Sequence, residues 1–231
     1  MENYLIIGAS SGIGRELALM LKFQGHEVYG TYYKNRPDAA EGIHYFPFAA
    51  LDSSLDDEQL PDHLNGLAYC PGSISLKPFS RLKQEGLLED MKLNVFGAVN
   101  VIQKVLPKLK QADQSSIVLF STVAVQLGLP FHTTVSMVKG ALEGLTRSLA
   151  AELAPKVRVN AIAPSLTDTP LAKSLLSNEE KKNANAQRHP LRRVGESRDI
   201  ANMAAFLLTD QSSWISGQIL PVDGGMSSMR I

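Results

Sequence analysis

The run Gly8-Ala9-Ser10-Ser11-Gly12-Ile13-Gly14 follows an apolar, β-rich segment and opens a segment of helical periodicity. Glycine is needed where a backbone turns sharply and where a pyrophosphate must approach main-chain N–H groups. The start of a helix adds unpaired donors and a favourable dipole. In this strand-turn-helix context the run reads as a dinucleotide site rather than as a simple tight turn. A second group of residues lies after the next strand, in Thr31-Tyr32-Tyr33-Lys34-Asn35-Arg36. An acid there would bind ribose hydroxyls, but this stretch holds none. Lys34 and Arg36 instead suit a 2′-phosphate, which Arg36 can hold bidentately. The alternative is two surface cations on a loop. A third group is His132, Val135 and Lys139. At 3.6 residues per turn these positions fall near one helical face, provided the helix begins early enough. Imidazole suits proton transfer near neutral pH, so His132 is a candidate acid. The alternative is that His132 only lines a pocket mouth between Phe131 and Thr133.

These groups must be held by a regular scaffold. Short apolar runs over 4–7, 27–31, 44–48, 66–70, 116–121, 157–162 and 218–222 read as strands buried on both faces. Amphipathic segments lie between them. One covers 12–23, with Ile13, Leu17, Met20 and Leu21 on one side. Another covers about 135–153, with a stripe of Leu142, Leu145, Leu149 and Leu153. The βα alternation implies a Rossmann-type, doubly wound α/β fold: a parallel sheet of about seven strands with helices on both faces. Residues 1–231 are expected to form a single domain. Residues 166–195 are expected to form a substrate-lid excursion within it. Its polar part, 177–188, reads equally as a solvated helix.

Formal net charge is zero, and charges of both signs are interspersed. That pattern points to no nucleic-acid and no membrane partner. The single cysteine, Cys70, excludes an intramolecular disulfide and a cysteine-based zinc site, so no metal is expected. Cys70 itself reads as a small buried hydrophobe. The first residues lack the basic head and long apolar stretch of a signal peptide, which with the cysteine count leads to an expected cytoplasmic location.

The spacing G-x-x-x-G-x-G, with Ser10 and Ser11 inside it, resembles the fingerprint of the short-chain dehydrogenase/reductase family. Further stretches resemble the same family in the same order. They are Leu93-Asn94-Val95-Phe96-Gly97, Val157-Arg158-Val159-Asn160-Ala161-Ile162-Ala163-Pro164, Thr169, Asp199-Ile200-Ala201 and Pro221-Val222-Asp223-Gly224-Gly225. The resemblance implies that Gly8, Ser10, Ser11, Gly12, Ile13, Gly14, Tyr33, Lys34, Arg36, Gly72, Asn94, Lys139, Pro164, Leu166 and Thr169 contact the cofactor. It places Asn94 as the active-site asparagine, and Lys139 on the nicotinamide ribose. The family's tyrosine falls at position 135, which here is valine, and no tyrosine follows Tyr69. Its serine lies thirteen residues earlier, at Thr122, whose hydroxyl can still donate to a substrate oxygen. The related enoyl-acyl carrier protein reductases place their tyrosine at the spacing that His132 has from Lys139. The family's Asn-Asn-Ala-Gly is Tyr69-Cys70-Pro71-Gly72 here, where Pro71 lacks a backbone donor.

The expected function is therefore reduction of a carbonyl or activated alkene of a small molecule by NADP(H). Thr122, Lys139, Asn94 and His132 are the candidate catalytic residues. A lysine alone is a poor acid unless burial lowers its pKa. Loss of the phenol favours a second reading, a cofactor-binding redox sensor or regulatory subunit. A third reading, a non-redox enzyme reusing the pocket, conflicts with the retained cofactor fingerprint. The resemblance also implies a homodimer or homotetramer, with Gly140, Ala141, Gly144, Ala150 and Ala151 permitting close approach of paired helices.

Overall fold

The computed structural model describes residues 1–34, 36–37, 42–50 and 55–230. Its strands are β1 (Asn3–Ile7), β2 (Glu27–Tyr32), β3 (His44–Pro47), β4 (Gly66–Tyr69), β5 (Ser115–Phe120), β6 (Val157–Pro164), β7 (Thr167–Asp168), β8 (Gly195–Glu196) and β9 (Ile219–Val222). Its helices are α1 (Gly12–Phe23), α2 (Gln84–Met91), α3 (Gly97–Gln111), α4 (Ala124–Leu127), α5 (Thr133–Leu153), α6 (Glu179–Ala186) and α7 (Ser197–Leu208). Seven strands form one parallel sheet in the order β3-β2-β1-β4-β5-β6-β9, while β7 and β8 form a separate short pair. The order reverses next to β1, between β1 and β4, which creates a crevice beyond the carboxyl ends of the strands.

Alternation along each strand divides the core in two. Leu5 and Ile7 of β1, with Ile117 and Leu119 of β5, face α3 and α5. Tyr4 and Ile6, with Val118 and Phe120, face α1 and α7. Each fully buried aliphatic side chain contributes about 1.5–3 kcal/mol, so the central strands are held from both sides. Arg158 leaves β6 to donate to the Leu207 and Thr209 carbonyls at 3.0 and 2.9 Å, which satisfies carbonyls at the buried C-terminal end of α7. Leu142 and Leu153 of the α5 stripe are buried, and Leu145 and Leu149 pack against the same cluster.

The small residues expected to pair helices divide differently. Ala150 is buried and closed to a second copy, while Gly140 and Ala141 are half-buried, Ala141 packing on the core. Gly144 and Ala151 are exposed, and a Cβ at Gly144 would touch nothing within 4 Å. The polar stretch within 177–188 is a helix, α6, capped by Asn178 accepting from the Lys181 amide at 2.8 Å.

One irregularity shapes the site. Residues Lys92–Phe96 form a π-helical turn between α2 and α3, so the Gly97 amide donates to the Lys92 carbonyl. The Leu93 carbonyl, its usual acceptor in an α-helix, accepts instead from the Tyr69 hydroxyl at 2.6 Å. A Cβ on Gly97 would collide with that hydroxyl, so the wide turn, the glycine and the tyrosine require one another. Tyr69 is 2% exposed, and burial raises its pKa, so the phenol stays protonated as a donor. Replacing it by phenylalanine removes the partner of the half-buried Leu93 carbonyl. Tyr69→Phe should destabilise the fold by about 1–3 kcal/mol in urea unfolding, a loss larger than an exposed Tyr33→Phe change would produce.

Candidate functional site

Two adjoining cavities open at the carboxyl ends of the strands. The first is a cleft of about 540 Å³ over the glycine turn between β1 and α1. Gly8 and Gly12 take φ of +80° and +55°, where a side chain would be strained. A Cβ on Gly14 would collide with the Gly8 carbonyl, so only glycine lets α1 approach β1 this closely. Ser11 caps α1 with extended backbone and no side-chain hydrogen bond. The amides of the first turn therefore face the cleft without a side-chain acceptor, which fits a pyrophosphate. Thr31 steadies the turn by accepting from the Gly8 amide at 2.9 Å.

Ser10, Ser11, Ile13 and Tyr33 line this cleft. Lys34 and Arg36 are exposed on the loop after β2 and do not line it among the described residues. Asn35 lies outside the described residues. Lys34 Nζ sits 5.3 Å from the centre of the Tyr33 ring, a cation–π contact at the cleft edge.

The second cavity, about 290 Å³, adjoins the first along Ile13, Cys70, Gly72, Thr169 and Leu171. Thr122, His132, Val135, Lys139, Pro164 and Leu166 all line it. Thr169 stands at the junction, packed on Gly12, and its hydroxyl accepts from the Ala172 amide at 3.3 Å. Thus the fold gathers residues from β5, α5 and the segment after β6 beside the glycine turn.

Their local contacts differ. Thr122 follows β5, and its hydroxyl oxygen accepts from the Ala124 amide at 3.3 Å, a contact that leaves its own proton free to donate. The neighbouring Ser121 is committed elsewhere, donating to the buried Glu143 at 2.7 Å. His132 does not lie in the helix, because α5 starts at Thr133. The turn that carries it is closed by its own amide donating to Leu129 at 3.3 Å, after Phe131 at φ +66°. Its Nδ1 pairs with the Pro130 carbonyl at 2.7 Å, so Nδ1 carries a proton and Nε2 is the nitrogen left for other partners.

Lys139 and Asn94 converge on Gly72. A Cβ there would lie 3.2 Å from Asn94 Oδ1 and 3.3 Å from Lys139 Nζ, so a side chain at Gly72 would crowd both polar atoms. Asn94 is 1% exposed, donates to Ser73 Oγ at 3.0 Å and to the Asp90 carbonyl at 2.9 Å, and its Oδ1 has no partner. A buried acceptor left without a partner is uncommon and is compatible with a ligand donor at this position. Ser73 donates in turn to Asp90 at 2.5 Å. Burial lowers the Lys139 pKa from 10.5 to about 8, against the opposing pull of Cys70 and Asp90. Burial also pushes the Cys70 thiol up to about 12, with the Lys139 charge opposing, so Cys70 is inert at neutral pH.

Four side chains of the site are not singled out by the sequence. Asp90 stands four residues before Asn94 on consecutive helical turns, a spacing that a closer pattern search can find. Ser73 follows Gly72 directly. Ser165 and His189 also line the cavity, and 24 residues separate them. No local periodicity connects that pair.

Comparison with known proteins agrees with this architecture. The family model described as Enoyl-(Acyl carrier protein) reductase, adh_short_C2, matches residues 49–227. The chain is 29% identical to the 3-oxoacyl-[acyl-carrier-protein] reductase FabG of Staphylococcus epidermidis, over 97% of this chain and 98% of that one. It is 31% identical to the tropinone reductase homolog At2g29290 of Arabidopsis thaliana, over 97% and 92%. Among solved structures it resembles a short chain dehydrogenase family protein from Francisella tularensis with a TM-score of 0.90, at 26% identity over 99% and 100% of the two chains. A second likeness is to ElxO with NADP bound, with a TM-score of 0.87 at 25% identity, over 99% and 100%. No helix among the described residues is long and apolar enough to cross a membrane. With the glycine cradle, the sheet order and these matches in hand, the chain belongs to the short-chain dehydrogenase/reductase family, whose members use NAD(P)(H), and is an oxidoreductase of that type.

Proposed function

We propose that this chain reduces a carbonyl or an activated alkene of a small molecule with NADPH, using a proton donor other than tyrosine. The reading rests on one observation: a glycine cradle opens directly into a cavity lined by Lys139 and Thr122, with Val135 among them, and Asn94 stands behind Gly72 at its wall. When bound, the nicotinamide exchanges hydride at its C4. Gly8, Ser10, Ser11, Gly12, Ile13 and Gly14 would hold the pyrophosphate, with Thr169 at the junction. Lys139 would donate to the nicotinamide ribose, and Thr122 to the substrate oxygen. Pro164 and Leu166 would wall the nicotinamide end. Lys34 and Arg36, both exposed, would pair with a 2′-phosphate at the cleft edge.

The proton would come from His132, whose Nε2 carries a transferable proton when the ring is charged. Val135 has none to give. Leu171, Leu175, Asn185 and Arg188 line the cavity, which supports a lid role for 166–195. The open face of α5 at Gly144 and Ala151 supports pairing with a second copy. The valine also favours a second reading, a cofactor-binding protein without turnover that serves as a redox sensor or regulatory subunit.

Nucleotide titration followed by fluorescence should give tighter binding of NADPH than of NADH. Removing both cations of Lys34 and Arg36 should weaken NADPH alone, and added salt should do the same, because an exposed phosphate pair is screened. Equal affinities in the wild type would overturn the NADP preference.

His132→Gln should lower turnover by about a hundredfold while nucleotide binding is kept. Val135→Tyr should raise ordinary carbonyl reduction, because it restores a phenol beside an otherwise complete site. Wild-type inactivity against a carbonyl and enoyl panel would favour the sensor reading.

Lys139 also makes stability depend on pH. Between pH 8 and 10.5 the unfolded lysine holds a proton that the folded one has released. Stability from this group therefore rises as pH increases through that window. Urea unfolding of wild type and Lys139→Met should show the wild type gaining on the variant from pH 8 to 10.5. Parallel curves would mean an unshifted lysine.

A further inference from the structure

The cavity contains a second chemical group that hydride transfer does not use. Ser165 follows β6 directly, at the carboxyl edge of the sheet, and its backbone carbonyl accepts from the Thr167 hydroxyl at 3.0 Å. Its Oγ lies 2.8 Å from His189 Nε2. The far side of that ring, Nδ1, lies 2.9 Å from the Asn185 carbonyl. A carbonyl oxygen can only accept, so Nδ1 carries the proton, and Nε2 of the neutral ring is left to accept from Ser165. A nucleophile, a base and a third group that orients the base stand in hydrogen-bonded series.

The surroundings suit that order. His189 is 3% exposed and packs against Gly224, so its ring is fixed, whereas Ser165 is half-buried and opens into the cavity. Met226 Sδ lies 3.1 Å from Ser165 Oγ, but a thioether is a weaker acceptor than an imidazole nitrogen. The charged and titratable groups around the pair come from four sides. Asp223, after β9, is held by the Gly225 and Ser227 amides at 2.8 and 2.7 Å and interacts electrostatically with His189. Arg188 adjoins the ring, the paired Arg193 and Asp199 share a neighbouring pocket with it, and Lys139 and His132 line the common cavity. A nearby carboxylate stabilises the imidazolium that would form when Ser165 loses its proton. Leu166, Leu171, Leu175 and Met226 supply an apolar wall for an acyl chain.

We propose that Ser165 is a nucleophile activated by His189, which gives the chain a nicotinamide-independent acyl-transfer activity on esters or thioesters of short apolar acids. Ser165 Oγ bonds to the acyl carbon, and its proton passes to His189 Nε2. The carbon–oxygen or carbon–sulfur bond breaks, and that proton leaves with the alcohol or thiol. Water then attacks the acyl–serine ester and gives a proton to Nε2; the acyl carbon–Oγ bond breaks, Nε2 returns that proton to Ser165 Oγ, and the acid leaves. No oxidant or reductant takes part, so the activity is independent of the reductase reading.

The full chain, with no nicotinamide added, is treated with diisopropyl fluorophosphate, digested and mapped by mass spectrometry. In parallel, hydrolysis of p-nitrophenyl butyrate is followed. The adduct is expected on Ser165, and hydrolysis should fall by at least about a hundredfold in Ser165→Ala. Removing one oxygen keeps the fold, which the melting temperature verifies. His189→Asn should lose labelling and hydrolysis together. If His189→Asn unfolds, the Ser165→Ala result and the mapped adduct decide alone. No adduct, an adduct confined to another residue, or a Ser165→Ala rate equal to that of the wild type would overturn the proposal.

Discussion

The hydrogen bond from Tyr69 to the Leu93 carbonyl sets the geometry around which the active side of the molecule is arranged. It lies at the end of β4, where the sheet order reverses, and reaches across to the joint between α2 and α3. Because the phenol takes a carbonyl that an α-helix would use internally, the helix widens into a π turn. Asn94 sits within that turn, its amide nitrogen tied to Ser73 and Asp90 and its oxygen left open. The residue that replaces the family's polar amide at the strand end has thus become a structural wedge. Its hydroxyl does not serve proton transfer, since it is buried and already donating.

The second constraint is steric. Gly14 and Gly72 are each positions where a single methyl group would crowd polar atoms of the site. At Gly14 the crowded atom is backbone, so the approach of α1 to β1 admits no substitute. At Gly72 the crowded atoms are Asn94 Oδ1 and Lys139 Nζ, so a side chain there would push apart the two groups that the fold brings together. The cofactor cleft and the cavity meet at Gly72, and the fit of one depends on the openness of the other.

The electrostatics of the cavity follow from its lining. Lys139, Arg188 and two histidines line it, and no aspartate or glutamate does among the described residues. Burial drives Lys139 toward its neutral form near physiological pH, and only Asp90 and the weakly acidic Cys70 oppose this. A tyrosine at position 135 would have placed a second titrating group beside this amine. Valine leaves the lysine with an apolar neighbour, and the two imidazoles that share the cavity, His132 and His189, stand on its walls.

Much of the scaffold was legible from local pattern. Each of the seven main strands matches an apolar run to within two residues at its ends, and the central β4 and β5 are buried on both faces as expected, whereas the edge strands β3 and β9 are largely half-buried or exposed because no further strand covers them. The glycine turn was legible because its spacing records a local steric need. The helix start was less so: α5 begins at Thr133, which leaves His132 on a turn instead of the helical face. The π turn had no signal, since its cause, Tyr69, lies 24 residues away in sequence.

The place of Lys139 came from the family resemblance, whereas the residue types and spacings alone determined the α/β alternation, the dinucleotide turn and the absence of a phenol at position 135. These are local matters of periodicity, steric allowance and identity. Tertiary structure decided which small residues of α5 stay exposed, that Ser121 is spent on Glu143 while Thr122 is free to donate, and that Ser165 meets His189. Those contacts join segments far apart in the chain, and their energies exist only once the sheet has brought the strand ends to a common edge.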